Sequence, residues 1–401
     1  MTATGPRPIT ALKYTLDGSE FTTTGSYPTV IGLYTKTSDS TWRLYVSESL
    51  TGGSHRLVVI ALDSLTGSDS LVATFHARLD TVVFRMTVLP GLGGQYARVT
   101  DLNQSGVVVG AATDVSGVVH AVTWIGGRVQ PLPDAGSSAA FALNDRGAIV
   151  GTAQDPRMTR RCLRGVIWRT GAAPELIASY PATAVPDTGV ACSHDFPLFY
   201  TSPDAGASTP TRINDNGDLM TLRYLVRGSV ATPFAPSWDY PQQWALNNRG
   251  QAVVSIARSP AYDYNASAVG FGVLIATPRV AVGSYMGPGR LYRHVAGINE
   301  AGTVAGTEQF ALKRAFLSDS TGKATDLGTV TGDLEAVALN NPGHVLLTGH
   351  LFRNGRLAVI ALNQTGWSLV SVTDLNDAGQ IIGSARGPDD VSRPVLLDPM
   401  P

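Results

Sequence analysis

Four arginines, Arg157, Arg160, Arg161 and Arg164, crowd one short stretch of the chain. A guanidinium is a planar fork that matches a carboxylate or sulfate, so the run suits capture of an anionic glycan or carboxylate. A solvated loop is the competing reading. His194-Asp195, beside Cys192, is an acid–imidazole pair of the kind used in general acid–base chemistry, with no nucleophile identifiable next to it. Trp238 and Trp244 flank Pro241-Gln242-Gln243 and suggest a stacking platform for a sugar. Asp101-Leu102-Asn103-Gln104-Ser105-Gly106 fits the first half of a calcium loop, with alternating oxygens and Gly sixth. Ala112 stands where the bidentate glutamate belongs, and an ordinary turn competes with the calcium reading. No two histidines have the i, i+4 spacing of a helical zinc site. Glutamates are few, and none forms a recognisable catalytic pair, although distant carboxylates can meet in a ring-shaped fold.

These residues need a scaffold, and an internal repeat supplies one. Seven times the chain reads apolar residue, Asn, two residues, Gly, then a short apolar run. The Asn and Gly positions are Asn103 and Gly106, Asn144 and Gly147, Asn214 and Gly217, Asn247 and Gly250, Asn299 and Gly302, Asn340 and Gly343, and Asn376 and Gly379. The Asn spacings are 41, 70, 33, 52, 41 and 36 residues, in the length range of a four-stranded propeller blade with insertions. An Asn side chain can accept a backbone N–H two residues on, closing an Asx-turn, and Gly supplies the positive φ that reverses the chain. On this reading Asp in place of Asn144 preserves the turn, whereas Val in place of Gly147 strains it.

The first copy predicts a whole unit: strands over 97–102, 107–112, 118–125 and 128–132, each joined by a short turn. No helical period is convincing, so the predicted fold is all-β, a propeller of four-stranded antiparallel blades filling 1–401 as one domain. Residues 1–90 are strand-rich without the repeat signature and read as divergent blades plus a ring-closing strand. Residues 91–397 hold the seven repeats. The last repeat is one strand short, so an amino-terminal strand is expected to complete it. The strand inventory favours eight blades over seven.

Val119-His120-Ala121-Val122-Thr123-Trp124, followed by Leu132 and Ala139-Ala140-Phe141-Ala142-Leu143-Asn144, resembles the HAF-repeat proteins of bacteria. Arg314-Ala315-Phe316-Leu317 with Thr325-Asp326-Leu327-Gly328-Thr329, and Leu89-Pro90-Gly91-Leu92-Gly93-Gly94, are similar to the same unit. The units at Asn214, Asn247 and Asn340 lack the aromatic part of the pattern. The resemblance implies an extracellular protein and no defined activity.

A formal net charge of −1 provides no global field for nucleic acid, and no stretch is apolar enough to span a membrane as a helix. No signal peptide opens the sequence, so an exported protein, extracellular or periplasmic, would have lost its signal. In an up-and-down blade the Asn turns share one face, and the loops of variable length share the other. Those loops include 154–163, 179–210 and 386–392, and rigid scaffolds commonly carry recognition on such loops. The expected function is a non-enzymatic binding or scaffold protein taking a glycan or a cell-surface protein, with no resident cofactor. The alternatives are a glycan-active hydrolase or lyase at the central channel, and a structural part of a cell-surface assembly. Cys162 and Cys192 fall on the variable face and are expected to form a disulfide that pins the 179–210 loop as a lid.

Overall fold

The computed structural model describes residues 2–4, 9–16, 19–24, 32–38, 41–46, 53–63, 68–77, 80–133, 136–154, 162–177, 191–192, 209–221, 224–233, 240–257, 272–276, 280–284, 292–309, 313–319, 324–327 and 334–400. They are all-β, with no helix among the described residues. The chain divides into two compact units. The first comprises Met1–Asp80 with Ala311–Arg314 and Gly328–Leu334. In it Ser19–Thr24, Ile9–Leu16, Gly53–Asp63 and Ser68–Ala77 form a four-stranded antiparallel sheet, and Thr2–Thr4, Thr41–Val46 and Gly32–Ser38 form a three-stranded one.

The second unit holds the repeats as propeller-like antiparallel meanders. Gly93–Leu102, Val108–Asp114, Val119–Ile125 and Arg128–Pro131 pair in chain order, close to the strands predicted for this copy. The Asn214 unit, short in sequence, still makes four strands: Pro210–Ile213, Leu219–Thr221, Tyr224–Arg227 and Val230–Pro233. The last repeat supplies Ser368–Leu375, Ile381–Arg386 and Ser392–Pro399, and the fourth place is taken by Asp80–Val88, paired antiparallel with Ser392–Pro399. On its other edge Asp80–Val88 adjoins Arg356–Leu362 of the sixth repeat, giving one eight-stranded sheet. Asn363 and Gln364 fasten that second edge through hydrogen bonds with Phe84 and Met86.

Burial explains the strand sequences. Val108, Val109, Ala111 and Ala112 are all buried, because the second strand of a repeat is covered on both faces by neighbouring sheets, so its sequence is a continuous apolar run. Asp80–Val88 instead alternates, with Val82, Phe84 and Met86 buried and their neighbours exposed. Each apolar core lies between two successive repeats. Val109 and Ala121 pack with Leu143, Val166 and Trp168 of the next repeat, and Ile382 of the last repeat packs with Leu102, Val108 and Trp124 of the first. Trp124 and Trp168 are buried and equivalent, their indole N–H groups donating to the carbonyls of Pro90 (2.7 Å) and Pro133 (2.8 Å). A bulge in the first strand brings its backbone against the second, where a Cβ on Gly110 would lie 2.0 Å from the Arg98 carbonyl oxygen.

Candidate functional site

The seven Asn turns meet around a polar cavity of about 170 Å3 in the second unit. Each turn is built in the same way. The Asn Oδ1 accepts the backbone N–H four residues on, from Val107, Ala148, Asp218, Gln251, Thr303, His344 and Gln380 in turn. Asn103 and Asn144 also accept the N–H two residues on, the expected Asx-turn bond. All seven Gly residues have φ between 72° and 84°.

The Asn amide nitrogen does a second job that turn chemistry does not foretell. It donates to the main-chain carbonyl of the equivalent Asn in the next repeat: Asn103 to Asn144, Asn144 to Asn214 (2.9 Å), Asn214 to Asn247 (3.0 Å) and Asn247 to Asn299 (2.9 Å). Asn340 donates to Asn376, and Asn376 back to Asn103. All seven Asn are buried. The expectation that Asp could replace Asn144 is therefore corrected, because a carboxylate cannot donate to the buried Asn214 carbonyl.

The residue after each Asn makes a closed circle. The Gln104 N–H donates to Asp145 Oδ1, Asp145 N–H to Asp215 Oδ1, and Asp215 N–H to Asn248 Oδ1, each at 2.8 Å. Asn248 N–H donates to Glu300 Oε1, Glu300 N–H to Asn341 Oδ1, and Asn341 N–H to Asp377 Oδ1. Asp377 N–H then returns to Gln104 Oε1 at 2.8 Å. The cycle is complete after seven members and holds no eighth. The sequence carried this signal. The position after Asn is Gln, Asp, Asp, Asn, Glu, Asn, Asp, always a side-chain acceptor, while the next position is Ser105, Arg146, Asn216, Arg249, Ala301, Pro342 or Ala378.

The cavity thus gathers carboxylates that are far apart in the chain: Asp145, Asp215, Glu300 and Asp377. Burial first, then the Gln104 N–H bond opposing it and repulsion from Asp215, Asp377 and Asp101, leave the Asp145 carboxyl above its ordinary value. Among the oxygens of the proposed calcium loop, Asp101 Oδ2 accepts the Leu143 N–H, Asn103 Oδ1 serves its own turn, and Gln104 Oε1 takes the Asp377 N–H. Oxygens committed to three separate donors do not fit a calcium loop.

Of the site residues expected on the variable face, Arg157, Arg160, Arg161, His194, Asp195 and Trp238 lie outside the described residues. Arg164 is not a loop residue but sits within the strand Cys162–Trp168, opposite Ala153 and half-buried. Trp244 falls in the strand Tyr240–Leu246, opposite Val254. Cys162 and Cys192 are register partners on adjacent antiparallel strands.

Besides His194-Asp195, the described residues hold another acid–imidazole pair. His120 Nε2 lies 3.2 Å from Asp114 Oδ2 at the turn between the second and third strands of the first repeat. Ser116 Oγ donates to Asp114 Oδ1 at 2.7 Å. Carboxylate, not imidazole, stands between the other two groups, so the histidine cannot take the serine proton in this arrangement. Hydrogen bonds from Ser116 first, with His120 and backbone N–H groups, hold Asp114 down at about 2. A second constellation on these loops, missed in the sequence, is Arg393 stacked over Trp367 (5.8 Å to the ring centroid) and ion-paired with Asp389. Trp367 comes from the turn before Ser368–Leu375, Asp389 from the loop before Ser392–Pro399 and Arg393 from that strand itself, which hides the group from linear inspection.

No protein-family model and no curated protein matches the chain. Among solved structures, it is similar to a crystal structure of a DUF4784 family protein from Bacteroides caccae, at 13% identity, over 80% of this chain and 89% of that one, with a TM-score of 0.29. At that score the likeness carries no argument about this chain.

Proposed function

We propose that the repeat unit is a seven-bladed propeller serving as a non-enzymatic binding scaffold, with recognition on the loops opposite the Asn turns. The observation that carries this reading is the closed circle of seven backbone-to-side-chain hydrogen bonds, with Asn amide bonds beside it at six of the seven junctions. The conserved-in-repeat polar groups of the turn face are spent on joining each repeat to the next, so that face is a fastener. Variation in length is left to the opposite loops, where Arg157, Arg160 and Arg161 suit an anionic glycan or an acidic cell-surface protein. The resemblance to HAF-repeat proteins supports an extracellular or periplasmic setting. The register of Cys162 and Cys192 supports a disulfide there, since directly opposed strand residues have Cα atoms about 4.5–5.5 Å apart, within disulfide reach. Retention on immobilised sulfated and uronate polysaccharides, for the parent and for R157A/R160A/R161A, tests the reading. Salt-sensitive retention lost in the variant supports it; equal retention, or none by either protein, sinks it.

A second reading has one observation in its favour: carboxyls converge at the central cavity, as a glycan-active hydrolase or lyase requires. Release of reducing ends from a polysaccharide panel by the parent, abolished in D145N, would establish it in place of the scaffold.

A further inference from the structure

In the sixth repeat, Asn354 (φ 51°) and Gly355 (φ 73°) form the two-residue loop between His350–Arg353 and Arg356–Leu362. Positive φ at both positions is the geometry of a tight type I′ hairpin, whose length fixes the register of the strands it joins. Arg353 and Arg356 are directly opposed, and both are exposed. On the next strand Val345 opposes Phe352, so one step further His344 stands beside Arg353. Lateral neighbours in an antiparallel sheet project to the same face about 5 Å apart, so His344, Arg353 and Arg356 make a row of basic side chains.

The third repeat shows the same row closed internally. There Leu219 opposes Val226, and one step further Asp218 and Arg227 meet at 3.6 Å. Asp218 and Arg227 occupy the places of His344 and Arg353. The sixth repeat keeps the arginine, puts an imidazole in place of the carboxylate, and adds Arg356 where the third repeat has Val230. Like charges directly opposed in a sheet are destabilising, and an Asn-Gly loop requires no arginine on either side. Folding therefore gives no reason for the pair.

We propose that Arg353 and Arg356 form a binding site for a phosphate monoester, whose oxygens take the part that the Asp218 carboxylate plays in the third repeat. Two guanidinium forks side by side match the double negative charge of such an ester near neutral pH better than the single charge of a carboxylate or sulfate ester. The tight loop holds both stems in place beforehand, which limits the ordering cost of binding. His344 reports on the site: burial first, and then Arg353, hold its imidazole below its ordinary value, with Asp377 opposing. An anion on Arg353 relieves that repulsion. The site goes beyond the binding proposed for Arg157, Arg160 and Arg161 and shares no residue with it, so each can fail without the other.

Calorimetry of the full chain with glycerol phosphate tests this on the parent, R353Q/R356Q and R128A. Arg128 is an exposed arginine in the matching hairpin of the first repeat, where it faces Ile125 and has no second arginine opposite. R128A should bind as the parent does, and R353Q/R356Q about tenfold or more weakly. By nuclear magnetic resonance, the pKa of His344 should rise when the ester is added to the parent and stay fixed in R353Q/R356Q. Inorganic phosphate and phosphatidic acid vesicles, run alongside, distinguish a free anion and a lipid headgroup from a soluble ester by which binds tightest. No binding by the parent, equal weakening in R128A and R353Q/R356Q, or a His344 titration indifferent to the ester overturns the proposal.

Discussion

The side-chain carbonyl of Gln104 accepts the backbone N–H of Asp377 at 2.8 Å, across 273 residues of sequence. With the Asn376 amide bonded to the Asn103 carbonyl beside it, this contact joins the last turn to the first. The turn is thus both a local reversal and a link in a circle, and the two roles can be separated by substitution.

Asn144→Asp and Asn144→Ala test the link. Both remove the amide donor to the Asn214 carbonyl, which keeps only the Gly217 N–H, a loss of about 0.5–1.5 kcal/mol, and Asp adds repulsion between oxygens. Urea unfolding should place both below the parent, Ala losing in addition the acceptor for the Arg146 and Ala148 N–H groups. If Asp matches the parent, the amide bond to the next repeat is not made.

Gly147→Val tests the reversal. Gly147 has φ +80°, a conformation that costs a β-branched residue about 1–3 kcal/mol. The neighbouring Arg146→Ala, whose side chain has no part in these links, should move the midpoint little. Equal effects at the two positions would mean that the turn is misassigned.

Closure of the sheet is a third, separable element. Asp80–Val88 is the strand that pairs with Ser392–Pro399, so truncation of residues 1–35 does not remove the closing strand. Phe84 is fully buried, and Phe84→Ala should cost about 3–5 kcal/mol. Truncation through residue 88 should expose two sheet edges and promote aggregation, measured by light scattering. A monomeric, cooperatively melting product of that truncation would contradict the closing role.

The cysteines give a covalent test. Mass measurement after alkylation under non-reducing unfolding conditions should find no added groups, with two appearing only after reduction. Two additions without reductant would exclude the Cys162–Cys192 disulfide.

How much of this was legible in the sequence depends on how local each interaction is. The Asn-x-x-Gly turns and the strands around them follow from backbone chemistry within about five residues, and they were readable, including the first repeat almost strand for strand. The closing strand was expected only as some amino-terminal segment, because pairing of Leu397 with Met86 leaves no local trace. The count of eight came from adding all strands together, yet those ahead of Asp80 belong to a separate unit. The acceptor after each Asn was visible as a pattern but had no local purpose, since Asp145 bonds Gln104 of the preceding repeat and not its own turn. Trp367, from a turn, and Arg393, from the strand Ser392–Pro399, left no linear signal at all.

Amide hydrogen exchange at Asp377 tests ring closure most directly, because its N–H sits in an exposed turn and its partner is the side chain of Gln104. In the parent this amide should exchange slowly. In Q104A it should exchange markedly faster while the Gly147 amide, bonded within its own turn to Asn144, is unchanged. An Asp377 amide that exchanges at the same rate in both proteins would show that the first and last turns are not joined.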